Sequence, residues 1–452
     1  MKSQTKPKSD FTPAAVVANS TARVADALAV FSTGLSFKDL PKEAIESAKR
    51  SILDTLAVSV AGTRSRTGQS AINAFAANGA GGSATVMGTK LMAHPSLAAL
   101  VNGTLGHALD FDDVWADDDG VVAWRGHPSV CVLPAVLAAG ESESCDGATA
   151  LLAFIIGVEI AGKLGTVFGP HLGRAGFHPT AIVGTLGAAA AVARVIKMEP
   201  KRVPIMLGIA ATEASGLARN FGTDTKPFHA GIAAQGGVQS ALLAREGFGA
   251  NAEAVGDFIR IHSGPGEAET LEVLGTLGKV WDIVAPGLSI KKYPCCRFGH
   301  LPLDATFMLL AKERFAAADV ESFTIRIQPG ADTALIYKQP DTGLEASSVW
   351  NMHWARRCST AASLSRHSPT RWSGGRKCAR SCSACARNIN PSPAPKLSRA
   401  PRAASIARLR ASCAATPPTR CPATSCCRNA ISVSTASSRR SASIAWSMRS
   451  TV

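Results

Sequence analysis

The chain has 452 residues, 46% of them hydrophobic and 18% charged, with a formal net charge of +15. That length supports a substantial core and two or three domains. The charge is uneven: Ala346 to Val452 holds 18 Lys and Arg and no Asp or Glu, so residues 1–345 form a slightly acidic body. Of the 12 cysteines, eight lie beyond residue 346. Cys131, Cys145, Cys295 and Cys296 are too scattered for a disulfide scaffold, which fits a reducing compartment.

In chain order, residues 1–20 are expected to be disordered, Met1 to about Thr12 being rich in Lys, Ser and Pro, with no apolar leader segment in Met1 to Ala14. Residues 21–275 read as a large all-helical domain. Apolar residues recur at helical spacing in Lys42–Val60, Ser96–Ala108, Ala148–Gly165, Ala181–Ile196 and Val203–Leu217. The Ala and Gly content predicts close helix–helix approach. The apolar runs Ala148–Val158 and Thr180–Val192 fall short of the ~18 residues a membrane span needs, so a cytoplasmic body with no membrane partner is expected. Residues 276–346 read as a smaller α+β domain. The period changes near residue 285, and Glu321–Gln328 alternates Phe323, Ile325 and Ile327 with polar residues before a Pro329-Gly330 turn.

Residues 347–452 are rich in Arg, Ser, Ala, Pro and Cys and keep no helical or strand period. Read back into codons, Ser347–Trp354 permits Lys-Phe-Ser-Val-Glu-Tyr-Ala-Leu one base out of frame. The same shift continued to about Arg380 permits an acid-containing, amphipathic sequence. This tail is therefore expected to be a frameshift product and disordered. The alternative is a basic tail that binds nucleic acid or, through Cys378, Cys382 and Cys385, zinc. Cys421, Cys426 and Cys427 supply no convincing second ligand pair, and no nucleic-acid partner is expected.

Polar islands interrupt the helical background: His107 to Asp113, His127-Pro128-Ser129, Gly176 to Thr180, Asn220 to Gly231, and Lys291 to Cys296 with His300 beyond. Such a set of Lys, His and Asp points to a site for a small anionic substrate. Asp110 and Asp113 are three apart, so on a helix they would share a face with His107. With Asp112 between them, crowding should raise at least one carboxyl pKa. A solvated helix end is the plainer reading, and Asp117–Asp119 is read as a solvated loop. His127 and His178 precede prolines, as does Lys226, which is expected to be held off the helix. A divalent-metal site on the aspartates is a minor alternative.

Together these motifs, with Tyr337-Lys-Gln-Pro340 and Glu345-Ala346, resemble the MmgE/PrpD family over about Thr21 to Ala346. The family includes 2-methylcitrate dehydration, cis-aconitate decarboxylation and iminodisuccinate epimerisation. The resemblance implies a mainly α protein with a large helical domain and a smaller α+β lid, here truncated after Ala346. It also implies a homodimer and cofactor-independent, metal-free lyase chemistry on a di- or tricarboxylate. Asp110, His127 and Asp113 are the candidate proton-transfer residues. His178, Lys226, Lys291, Tyr337 and His229 are the candidate substrate-binding residues. Lys291 aligns with the family's lysine and Lys292 does not. A dicarboxylate epimerase or isomerase on the same fold is the alternative.

Overall fold

The computed structural model describes residues 24–76, 80–115, 125–263, 267–312, 322–327, 334–337, 342–347, 406–413, 429–436 and 442–447. The sequence expectations for residues 1–20, Asp117–Asp119, Lys338–Pro340 and the tail cysteines other than Cys413 lie outside them. The described residues form two compact units. The first takes those up to Asn220 and from Asp224 to Pro294; the second takes Phe221–Thr223 and those from Cys295 onward. The division falls later than the expected boundary at 276.

The first unit is helical. In chain order it contains α1 (Val24–Gly34), α2 (Lys42–Gly62), α3 (Arg66–Ala71), β1 (Ala80–Thr85), β2 (Met92–Ala93), α4 (Pro95–His107) and β3 (Val114–Trp115). It continues with α5 (Ser129–Ser142), α6 (Gly147–Arg174), α7 (Pro179–Val195), α8 (Val203–Glu213), α9 (Thr225–Arg245), α10 (Ala254–Ser263), α11 (Glu267–Leu274) and β4 (Leu288–Ser289). The starts follow from capping chemistry. Asp146 caps α6 by accepting the Thr149 N–H at 2.7 Å, and Pro95 and Pro179 open α4 and α7, where a missing N–H costs nothing.

Helix α6 is apolar nearly all round, with Leu152, Phe154, Ile155, Ile156, Val158 and Ile160 buried. Burial of each such side chain contributes roughly 1.5–3 kcal/mol, so α6 is a core strut. Gly147–Gly169 is long and apolar enough to cross a membrane, with a mean hydropathy of 1.8, but 83% of that window is buried within the fold. It packs on α7, and α9 packs on α4 and α7. Small residues set these approaches. A Cβ on Gly231 of α9 would collide with the Leu100 carbonyl of α4, and one on Gly103 of α4 would sit 2.8 Å from the Ala230 carbonyl. A bulkier residue at either position would force the backbones apart, and with them the site-bearing ends of α4 and α9.

Two sequence expectations change here. Helix α4 ends at His107, so Asp110 and Asp113 share no helical face. Asp110 is left-handed at φ 49°, a conformation aspartate tolerates better than most residues. Lys226 is not held off the helix, because it lies in the first turn of α9 beside Pro227; first-turn N–H groups have no intrahelical acceptor for proline to remove.

In the second unit, α12 (His300–Lys312) precedes β5 (Ser322–Ile327) and α13 (Gly343–Ala346), which is capped by Thr342 Oγ1 accepting the Glu345 N–H at 3.2 Å. Strands β6 (Ile406–Cys413), β7 (Asn429–Ala436) and β8 (Ala442–Ser447) complete a sheet of order β6-β7-β5-β8. The expectation of disorder throughout 347–452 does not hold for these three strands. Each has short period-two stretches, such as Ile431/Val433 and Ile444/Trp446. Their register sets Ile431 and Trp446 opposite Phe323, and Val433 and Ile444 opposite Ile325.

Candidate active site

The first unit gathers most of the candidate residues into one buried cluster. At its centre is Asp110. Lys226 Nζ donates to Asp110 Oδ2 at 2.7 Å. Lys291 Nζ donates to Oδ1 at 2.5 Å and to the Asp110 backbone carbonyl at 2.8 Å. Both ammonium groups are buried, whereas Lys292 is exposed and lies over the Tyr293 ring at 5.3 Å. Burial pushes the Asp110 carboxyl up, but Lys226 and Lys291, helped by His107 and His127, outweigh it and hold it well below the usual carboxylate range. Held this low, the carboxyl is the anionic counterion of both lysines.

Asp112 is buried and serves two imidazoles. Its Oδ1 accepts from His107 Nδ1 at 2.8 Å, and its Oδ2 lies 2.8 Å from His127 Nδ1. The better-aligned acceptor for the His127 N–H is the Asp113 backbone carbonyl, at 3.0 Å, which leaves Asp112 Oδ2 close to that proton without an aligned donor. Burial raises the Asp112 carboxyl, and the two histidines reverse this and leave it well below its usual value. His127 is in turn pushed down to about 4, chiefly by burial, with Asp112 working against. A neutral His127 with its proton on Nδ1 presents an unprotonated Nε2.

Asp113 behaves differently from its neighbours. Ser129 Oγ donates to its Oδ2 at 2.6 Å, yet burial pushes its carboxyl up to about 7 against the hydrogen bonds from Ser129 and Ser51, with the Asp112 and Asp54 charges adding to the rise. Asp54 of α2 is itself raised to about 6 by burial and by Asp112. The crowding expected from sequence thus falls on Asp113.

His178 caps α7 in an extended backbone conformation, and its Nδ1 lies 3.1 Å from His229 Nδ1. One ring must donate and the other accept, so the pair adopts opposite tautomers. Burial, with His107, His229 and Lys226 nearby, drives His178 well below its ordinary value. Burial, His107 and Lys226 lower His229 to about 4. The rings of His107, His127 and His178 lie within 6.5 Å of one another, centroid to centroid. His107 Nε2 is buried with no hydrogen-bond partner among the described residues, the kind of atom a ligand satisfies.

Two neighbours to which the sequence assigned no role fix His127. Thr180 Oγ1 accepts its N–H at 3.1 Å. The preceding Gly126, at φ 80°, passes so close to Thr180 that a Cβ would lie 2.6 Å from the Thr180 nitrogen. Tyr337 and His300 belong to the second unit. There the Tyr337 hydroxyl donates to the Phe221 carbonyl at 2.8 Å, its ring lies where a Cβ on Gly222 would fall, and His300 Nε2 lies 3.3 Å from the Cys295 carbonyl.

Ligand atoms of His107, Asp110, Asp112 and His127 come within 4.8 Å of one another, a spacing a cation could bridge. Here both Asp110 oxygens already carry ammonium groups and the Asp112 carboxylate faces two histidines, so the lysines supply the positive charge a cation would bring. The donor set suits an organic polyanion better than a resident metal.

Residues 26–259 match the MmgE/PrpD N-terminal domain. The chain belongs to the MmgE/PrpD family. It is 34% identical over 229 residues to the human cis-aconitate decarboxylase, covering 48% of this chain and 45% of that protein. It is 30% identical over 317 residues to the mouse cis-aconitate decarboxylase, covering 65% and 61%. It is 28% identical over 302 residues to the Aspergillus terreus cis-aconitate decarboxylase, covering 64% and 60%. In each case the chain spans less than two thirds of the relative's length.

Proposed function

We propose that the first unit carries the site of a cofactor-independent carboxy-lyase acting on a small tricarboxylate of the cis-aconitate type. The observation that carries this reading is the convergence of two buried ammonium groups on Asp110 beside the four imidazoles of His107, His127, His178 and His229. A substrate carboxylate can share Lys226 and Lys291 with Asp110, in a water-poor setting where each contact is stronger than in bulk solvent. The names of the relatives favour decarboxylation over dehydration.

In that reaction the bond between carbon and the departing carboxylate breaks, carbon dioxide leaves, and the electron pair stays on carbon beside a remaining carboxylate. The lysines stabilise the charge that develops there. Substrate carboxylates raise the affinity of His127 for a proton, and the imidazolium is balanced by Asp112. His127 Nε2–H then protonates the carbanion and the ring regains a proton from solvent. Asp113 supports this step through its backbone carbonyl and Ser129.

The residues past Ala346 remain, in this reading, the product of a shifted frame that truncates the second domain. The test of reaction type is a proton NMR time course in D2O with cis-aconitate, 2-methylcitrate and iminodisuccinate, on the chain as written and with its frame restored. Loss of cis-aconitate with a decarboxylated, singly deuterated product supports the carboxy-lyase. Exchange of a carbon-bound proton without substrate loss would replace it with the epimerase reading, and loss of water from 2-methylcitrate alone with the hydro-lyase.

A further inference from the structure

A second buried charge cluster lies in the first unit, outside the groups that face Asp110. Glu159, Gly162 and Lys163 fall at i, i+3 and i+4 on one face of α6. Glu159 is fully buried, and its two oxygens accept the backbone N–H groups of Asp282, at 3.0 Å, and Ile283, at 2.7 Å. The Asp282 carboxylate receives Lys163 Nζ on Oδ1 and Arg125 Nη1, at 3.1 Å, on Oδ2. Arg125 lies over the Trp115 ring at 5.7 Å, and that ring packs on Gly162, where a Cβ would sit 2.7 Å from Trp115 Cζ2.

Each partner leads directly to a residue that holds Asp110 or its histidines. Asp282 begins a turn closed by the Gly287 N–H donating to the Asp282 carbonyl at 2.9 Å. The chain then runs through β4, which pairs with β3 (Trp115↔Leu288, Val114↔Ser289), and reaches Lys291 two residues later. β3 directly follows Asp112 and Asp113, and Arg125 stands two residues before His127. One face of α6 thus grips three segments that carry site residues.

Buried ion clusters are a weak source of stability, since apolar packing of the same volume does as well. What this one supplies is geometry. Two hydrogen bonds donated by consecutive backbone N–H groups to one carboxylate fix both the position and the orientation of the turn before Lys291. We propose that Glu159 is a positioning residue that sets Lys291 against Asp110 by holding the turn at Asp282 and Ile283, with Asp282 locking the same turn to Lys163 and Arg125. The inference needs only the placement of Lys291 and no particular substrate, so its failure and that of the lyase reading are separate results.

The test is competitive amine labelling of the full chain with acetic anhydride, read by peptide mass spectrometry as the labelling rate of Lys291 relative to Lys226. Lys226 sits on α9 and grips the same carboxylate without using the turn, so it is an internal reference. Glu159→Gln keeps the shape but offers one carbonyl oxygen to two N–H groups. We expect the Lys291:Lys226 ratio to rise about fivefold in Glu159→Gln and in Asp282→Asn. Ile156→Ala, a cavity on the same helix, should lower the melting temperature and leave the ratio unchanged. If Glu159→Gln does not fold, Asp282→Asn decides alone. An unchanged ratio in the folded cluster variants, or an equal rise in Ile156→Ala, would overturn the proposal.

Discussion

Lys291 holds Asp110 at two points, its side-chain Oδ1 at 2.5 Å and its backbone carbonyl at 2.8 Å, across 181 residues of sequence. With Lys226 on the other oxygen, the left-handed Asp110 is fixed both as a backbone corner and as a counterion. The same pairing keeps two ammonium groups buried and converging on one carboxylate.

Removing that counterion should therefore cost stability first. Asp110→Asn tolerates the same left-handed backbone but removes the buried carboxylate that both ammonium groups share, so unfolding free energy should fall by about 1–3 kcal/mol. Urea titration of both proteins measures it. A loss below about 1 kcal/mol would mean that Asp110 is not the counterion that matters to the lysines.

Lys226→Ala should act on function more than on folding, because Asp110 keeps Lys291. In the proposed lyase, kcat/KM should fall by about 10²–10³, as when one preorganised charge donor is removed from a transition state. Steady-state kinetics beside a thermal melt separate the two effects. A normal kcat/KM would remove Lys226 from the site.

Asp113 gives a signed dependence on pH. Its carboxyl stands at about 7 in the folded protein against an ordinary 3.8, so its contribution to stability is fully present below 3.8 and is lost as pH rises through 7. Asparagine imitates the protonated form and has no such loss. Asp113→Asn should therefore gain on the wild type between pH 4 and 8, by on the order of a few kcal/mol. His127 and His229, lowered to about 4, change stability in the opposite sense below pH 6.5, but equally in both proteins. Melting temperatures at four pH values test this, and a constant difference would contradict it.

The tail reading predicts that restoring one base near codon 347 raises both soluble yield and activity, since a second domain with an altered sequence past Ala346 would leave apolar surface uncovered. Resequencing comes first. A chain confirmed as written that is soluble and as active as its restored counterpart would end the frameshift account.

The helices were legible because their signals are local: Pro95, Asp146 and Pro179 mark starts, and apolar periodicity fills the bodies. The members of the buried cluster were legible too, because Lys and His stand out in an Ala/Gly background. Its division of labour was not. Asp110, Asp112 and Asp113 look alike in sequence, and only the end of α4 at His107 sends them to different partners: two lysines, two histidines and a serine. Glu159 carries no local signal, since its partners Asp282 and Ile283 lie 123 and 124 residues away.

The central claim is that this cluster receives a polycarboxylate through Lys226 and Lys291. Isothermal titration with cis-aconitate, in two buffers of different ionisation enthalpy, tests it most directly. Because His127, His178 and His229 are held neutral, new carboxylates beside them should draw in protons. The account predicts binding with uptake of about one proton, weakened at least ~100-fold in Lys291→Ala. No binding to the frame-restored protein, or binding that is unchanged in Lys291→Ala and takes up no proton, would contradict it.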